Sequence, residues 1–371
     1  MQGGAEAPKT RHAFNAGVCV VTLFALTFVL TSVAQDSSDP LRVALSKRID
    51  EAKHGTGAVV GVLTPQGPSF LSYGRASIGG AEITAETIFE IGSIGKIFTA
   101  FLLADMVERG EVALNDPVRK YLPSSVTIPA RRGKEILLVD LATHTSGLPR
   151  DSVEVDLSQN NSPYVGYTAD DLYAFLKTYR LERDPGSKYE YSNIGVGLLG
   201  HTLALRAGMN YEDLLRRRIL EPLGMTSTTI TFNASLSARR ATGHNARLFP
   251  VPPWTGGVLA PTGGVNSTAE DVLKFAAAVV DSRSPMKAAF ARMTSVRRPI
   301  PDSRTQQTLG WSTFKRGSSE LLAHDGGTFG FQSRLVVDTT RKRAVIVLIN
   351  GRSEEALTEI VSLALDRDTL R

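Results

Sequence analysis

The chain has 371 residues, more than one hydrophobic core ordinarily supports, so a soluble body with one large core and a second, smaller lobe is expected. Its formal charge is +5, with basic residues scattered in ones to threes, as at 131–134 and 216–218, which leaves no nucleic-acid footprint. The single cysteine, Cys19, excludes an intrachain disulfide and any cluster of thiolate metal ligands.

The first 34 residues read as an export signal. Lys9 and Arg11 precede an uncharged apolar run from Gly17 to about Val33, and Ser32, Val33 and Ala34 place small residues where a signal peptidase cuts. Cleavage after Ala34 gives a periplasmic or secreted chain of residues 35–371, without a stable membrane span or any thiol. An uncleaved anchor is the alternative, because the apolar run is nearly long enough to span a bilayer.

An amphipathic helix is expected over Leu41–Lys53. The runs Ala58–Thr64 and Ser69–Tyr73, separated by Pro65, Gln66 and Gly67, read as a β-hairpin. Helical patterns follow from Ser93 to Gly110 and at Asp170–Tyr179, Ile194–Ala207, Tyr211–Ile219 and Thr268–Val280. Ser267 and Glu270 make a capping box for the last of these. Near the end, 310–314, 320–323, 332–338 and 344–350 are strand-like, and a closing helix is expected over Glu354–Leu365. The simplest layout is α+β, an α/β sandwich: an antiparallel sheet built from both chain ends, flanked by helices, with a mostly helical region inserted. The sheet lobe would take about 40–110 and 300–371, and the helical lobe about 111–299.

Lys96 is the residue hardest to explain structurally. Ile94, Ile97, Phe98, Phe101, Leu102 and Met106 form a wide apolar stripe, so a helix starting near Ser93 buries Lys96 with it. An unpartnered buried ammonium costs several kcal/mol. Ser93 lies three residues earlier, on the same helical face, within reach of the amine. Desolvation lowers the lysine pKa, so the amine can take the serine proton and activate a nucleophile. A capping serine beside a snorkelling lysine is the plain alternative reading of this pair alone.

Two further motifs stand in register with it. Tyr191-Ser192-Asn193 follows Ser93 by 98 residues, and His324-Asp325-Gly326 lies on a strand near the C-terminus. With Ser93-x-x-Lys96, this set resembles the penicillin-recognising serine hydrolases, particularly class C β-lactamases and related D-alanyl-D-alanine carboxypeptidases and esterases, which carry S-x-x-K, Tyr-x-Asn and then K-T-G or H-x-G. The likeness extends through Asn115–Pro123, Leu141–Pro149, Glu221–Met225 and Thr262–Thr268.

The resemblance implies a β-lactamase/DD-peptidase-like fold and a covalent acyl-enzyme on Ser93. Tyr191, with Lys96, would shuttle the proton to the leaving group, its pKa pulled below about 10 by the lysine charge. Asn193 would meet a substrate carboxamide. The backbone N–H groups of Ser93 and Gly327 would form the oxyanion hole, with Gly326 and Gly327 allowing close approach. At the third motif the sequence departs from a standard β-lactamase: His324 and Asp325 replace a fixed lysine charge. His324 is expected to position a substrate carboxylate or Tyr191.

Other signals are decoys. Gly195, Gly197 and Gly200 match G-x-G-x-x-G, but no strand precedes them, and close helix packing explains the glycines. His54, His144, His201, His244 and His324 lack metal-ligand spacing, so no metal or other cofactor is expected. His144 reads as a residue holding a loop after a helix. No G-x-S-x-G elbow is present. The expected protein is therefore an exported serine hydrolase taking β-lactam amides or D-alanyl-D-alanine-type peptides, a small molecule or a peptidoglycan-derived substrate. A carboxylesterase on the same scaffold, and a penicillin-binding or sensing module without turnover, are the alternatives.

Overall fold

β1 (Gly57–Thr64) and β2 (Gly67–Gly74) form the expected hairpin, with Gly57 opposite Gly74 and Thr64 opposite Gly67. The computed structural model describes residues 38–154, 162–301, 303–353 and 357–370. The expected leader, its Cys19, and the first turn of the expected closing helix lie outside these residues. Among the described residues no helix is long and apolar enough to cross a membrane.

β3 (Phe89–Glu90) and β4 (Asn266–Ser267) make a separate two-stranded ladder. β5 (Arg298–Pro299), β6 (Gln306–Gln307), β7 (Ser312–Arg316), β8 (Ser319–Gly327), β9 (Gln332–Asp338) and β10 (Arg343–Ile349) complete the main sheet. Its order is β2-β1-β10-β9-β8-β7-β6-β5, antiparallel throughout, so the first hairpin joins the C-terminal strands where β1 pairs with β10.

β1 and β10 are apolar without alternation because both sheet faces are covered. Val59, Leu63, Ala344, Ile346 and Leu348 face one core with the helix Gly95–Glu108. Ala58, Val60, Val62, Val345 and Val347 face the other, with Leu41, Leu45, Ile360 and Val361. Those four come from the helices Pro40–Ser46 and Thr358–Leu365. Alternate side chains of one strand thus hold two helical layers.

The helix Gly95–Glu108 is buried on nearly every side, and Gly110, at φ +69°, ends it. The helix Asn193–Ala207 packs against the 3₁₀ run Gly257–Thr262: a Cβ on Gly197 would stand 2.4 Å from Leu259, and one on Gly200 2.3 Å from Pro261. Packing at this distance accounts for the glycine spacing.

Two local expectations are corrected. The segment expected as one helix from Tyr211 is α-helical only to Leu215, then π-helical over Arg216–Leu220. Thr268, not Ser267, caps Ala269–Val280, accepting from Asp271 N–H at 3.1 Å. Ser267 is already engaged as the β4 partner of Phe89.

Candidate active site

The nucleophile candidate sits where β3 ends. Gly92–Ile94 make a 3₁₀ turn leading into the helix Gly95–Glu108, so the Ser93 N–H belongs to a first turn that lacks an intrahelical acceptor. Gly92 adopts φ +50°, and a Cβ there would lie 2.6 Å from the Gly327 nitrogen and 2.8 Å from its oxygen. Only glycine lets the turn and the end of β8 approach this closely. A Cβ on Gly326 would meet the Ile91 carbonyl oxygen at 2.1 Å.

Ladder geometry orients the second backbone donor. Thr328 N–H bonds to Phe331 O, closing the β8–β9 hairpin. Donors alternate sides along an antiparallel strand, so Gly327 N–H turns away from β9. It faces the side where β7 pairing stops at Ser312 and Ala323.

Ser93 Oγ lies 2.9 Å from Lys96 Nζ and accepts from the Tyr191 hydroxyl at 2.9 Å. Lys96 is 2 % exposed, and its Nζ also donates to Thr262 O at 2.6 Å. Burial, reinforced by the Arg150 charge and opposed by Asp151, holds its pKa well below the usual lysine range. That favours the neutral amine, the form that can accept a proton from Ser93.

The expectation for Tyr191 is corrected. Removal from water dominates and pushes its hydroxyl up, outweighing the lowering by the Ser93 hydrogen bond and by Arg150. Lys96 Nζ stands 5.1 Å from the ring centroid, and the Arg150 guanidinium 5.0 Å from it. Tyr191 is therefore a protonated donor in the resting site rather than a phenolate.

Asn193 opens its helix with both ends of its amide engaged. Its Nδ2 donates to Asp151 Oδ1 at 2.8 Å, and its Oδ1 accepts from Thr262 Oγ1 at 3.3 Å. Asp151 also accepts from the Tyr164 hydroxyl at 2.6 Å.

Strand alternation separates His324 from Asp325. His324 is buried, its ring 6.5 Å from that of Tyr191, and its Nδ1–H donates to the Asp325 carbonyl at 2.7 Å. Burial first, then Lys96, lowers its pKa to about 4, so the ring is neutral at pH 7. The Asp325 side chain takes the opposite face of β8, 68 % exposed, and its carboxylate lies 3.3 Å from Arg334 Nε. Neither residue brings a positive charge to Ser93.

Two cavities meet at Ser93, sharing Arg150, Gly327 and Arg352. The larger, about 620 Å³, also takes in Tyr191, His324 and Gln332. The smaller, about 360 Å³, includes Asp151, Tyr164, Asn193, Trp254 and Thr262. Arg352 donates to Thr328 O at 3.0 Å, beside Gly327. Among the described residues no group of three His, Cys, Asp or Glu could hold a metal ion.

Sequence reasoning missed Arg150, Thr262 and Arg352, and it took Asp151 only as the start of a pocket-wall loop over 151–167, without its bond to Asn193. Thr262 stands in a stretch already singled out, and Arg150 directly follows Pro149 of another, but their roles depend on loops converging in space.

Residues 44–365 match the family model described as Beta-lactamase. The chain belongs to the beta-lactamase family. It is 26% identical over 364 residues to the D-alanyl-D-alanine-carboxypeptidase/endopeptidase AmpH of Escherichia coli (strain K12), covering 92% of this chain and 91% of that protein. It is 28% identical over 323 residues to a beta-lactamase of Yersinia enterocolitica, covering 84% and 80%. A class C beta lactamase structure from Rhodobacter sphaeroides superposes with a TM-score of 0.76 at 28% identity, covering 88% of this chain and 98% of that one. The serine hydrolase class and the β-lactamase/DD-carboxypeptidase fold follow from these matches.

Proposed function

We propose that the protein hydrolyses β-lactam amides or D-alanyl-D-alanine-type peptides through an acyl-enzyme on Ser93. The observation that carries this is the convergence of Lys96 Nζ and the Tyr191 hydroxyl on Ser93 Oγ, each at 2.9 Å. In this reading the neutral Lys96 amine takes the Ser93 proton as Oγ bonds to the carbonyl carbon. The Ser93 and Gly327 N–H groups receive the oxyanion. Tyr191 then protonates the departing amine as the C–N bond breaks, and the Lys96 ammonium restores the Tyr191 proton. Water, deprotonated by the same pair, then bonds to the acyl carbon; the C–Oγ bond breaks, and the pair returns the proton to Ser93 Oγ as the acid leaves.

The cavities give the substrate a direction. Tyr191 lines only the larger, so the leaving group would depart there, while the smaller, with Asn193, Tyr164 and Trp254, would hold the acyl side. Arg150 and Arg352 border both and would supply the positive charge that His324 does not. Export after cleavage at Ala34, with residues 35–371 as the catalytic chain, belongs to the same reading.

The experiment is turnover of nitrocefin and of diacetyl-lysyl-D-alanyl-D-alanine by wild type and Ser93→Ala. Ser93-dependent turnover of either supports the proposal. One observation favours a second reading: with neutral His324 in place of a lysine, esters lacking a carboxylate suit the site. Turnover of p-nitrophenyl acetate alone would establish that carboxylesterase reading instead.

A further inference from the structure

We infer that His144 is the positioning residue for Tyr191: it grips the chain on both sides of the tyrosine and stacks on its ring, fixing the hydroxyl on Ser93. This rests on the proposed role of Tyr191. His144 follows the short helix Leu138–Ala142 and is buried, with φ +56°. Its carbonyl accepts from Glu190 N–H at 2.7 Å, and its Nδ1 accepts from Ser192 N–H at 3.1 Å. Between those two anchors, the Tyr191 ring lies 4.4 Å from the imidazole, centroid to centroid, at an interplanar angle of 31°. Tyr189 closes the far side edge-on at 5.8 Å. A left-handed backbone is uncommon outside glycine, though histidine, asparagine and aspartate enter it more readily than most residues. Here it allows one residue to contact 190, 191 and 192 together.

The hydrogen bonds also set the protonation state. An Nδ1 that accepts from a backbone N–H carries no proton, so the imidazole is the neutral Nε2–H tautomer. Burial first, then the proximity of Lys96, His324 and Arg150, holds its pKa far below the ordinary value, which keeps that acceptor available. Holding a loop would need only the backbone contacts. The side-chain acceptor and the stacked ring add control over where the tyrosine points.

The test is a double-mutant cycle between His144 and Tyr191, read as kcat for nitrocefin and for p-nitrophenyl acetate, with thermal unfolding of each variant. His144→Ala removes ring and acceptor together, whereas His144→Asn restores an acceptor near the Nδ1 position and tolerates the left-handed backbone. The expected loss in nitrocefin kcat for His144→Ala is about 100-fold, the scale of a misplaced catalytic group. His144→Asn should recover at least about tenfold of it. The ester should lose less, because p-nitrophenolate departs without a proton. On a Tyr191→Phe background, adding His144→Ala should change kcat by less than about threefold. Equal losses in both backgrounds, or His144→Asn no better than His144→Ala, would overturn the inference. A Tyr191→Phe enzyme with undiminished kcat would remove the underlying reading, and that single variant tells the two failures apart. Should His144→Ala not fold, the cycle is run with His144→Phe, which keeps a ring and lacks the acceptor.

Discussion

Replacing Lys96 by methionine separates what this residue does for folding from what it does for chemistry. The amine is buried with two polar partners, Ser93 Oγ and Thr262 O, in a helix otherwise packed with apolar side chains. Methionine matches the lysine stem as far as Cε and removes a polar group from the core, but it leaves Thr262 O short of a donor, a loss of about 1–3 kcal/mol. Relief of the cost of holding the lysine unprotonated acts the other way and grows as the pH falls below about 10.4. Lys96→Met should therefore be no less stable than wild type at pH 7, while the acylation rate falls by about 10²–10⁴-fold with loss of the general base. The pH dependence gives a sharper signature. The folded-state pKa of Lys96 is lowered, so between that value and about 10.4 the unfolded chain binds more protons than the folded one. Stability then rises with pH through that window, by up to about 1.36 kcal/mol per unit. Lys96→Met should flatten this slope. Urea unfolding from pH 7 to 10, beside burst kinetics with nitrocefin, measures both. A variant that keeps its acylation rate, or one with an unchanged slope, would refute the reasoning.

Gly92→Ala should be worse for folding than its size implies: left-handed backbone costs about 1–2 kcal/mol and the contact with Gly327 about 1–3 more. Urea midpoints check this, and kcat should drop about 100-fold as Ser93 and Gly327 separate. His324, with its pKa held at about 4, should destabilise the fold as pH falls from about 6.5, where the unfolded histidine begins to protonate. The loss reaches roughly 3 kcal/mol near pH 4, and unfolding of His324→Gln at pH 7 and pH 4.5 should show a shallower decline than wild type. Arg150→Gln and Arg352→Gln should each raise KM for benzylpenicillin about tenfold while sparing KM for uncharged p-nitrophenyl acetate, as steady-state kinetics would reveal.

The fold was legible where hydrophobic runs are long. β1 and β10 declare themselves by runs of apolar residues, and the pairing of both chain ends follows from their being the strands that need cover on two faces. The two-residue strands β3 to β6 were not legible, because no periodicity can accumulate over two residues, and β3 and β4 owe their geometry to pairing across the chain. The helix expected before His144 is there, a short one over Leu138–Ala142.

In the site, Ser93 and Lys96 were readable because a buried lysine on an apolar helix needs a partner close in sequence. Tyr191 was found by motif, yet its acidity was misjudged: spacing says nothing about burial, and burial dominates its pKa. The opposed directions of His324 and Asp325 could have been anticipated from strand alternation alone. Arg352 could not, since it reaches Thr328 from a loop beyond β10.

The most direct measurement is an intact-mass time course of the protein with benzylpenicillin, wild type beside Ser93→Ala. The account predicts an increase equal to one penicilloyl group on wild type, formed and lost with time, and no such species on Ser93→Ala. An adduct of equal yield on Ser93→Ala would place the nucleophile elsewhere and contradict the account.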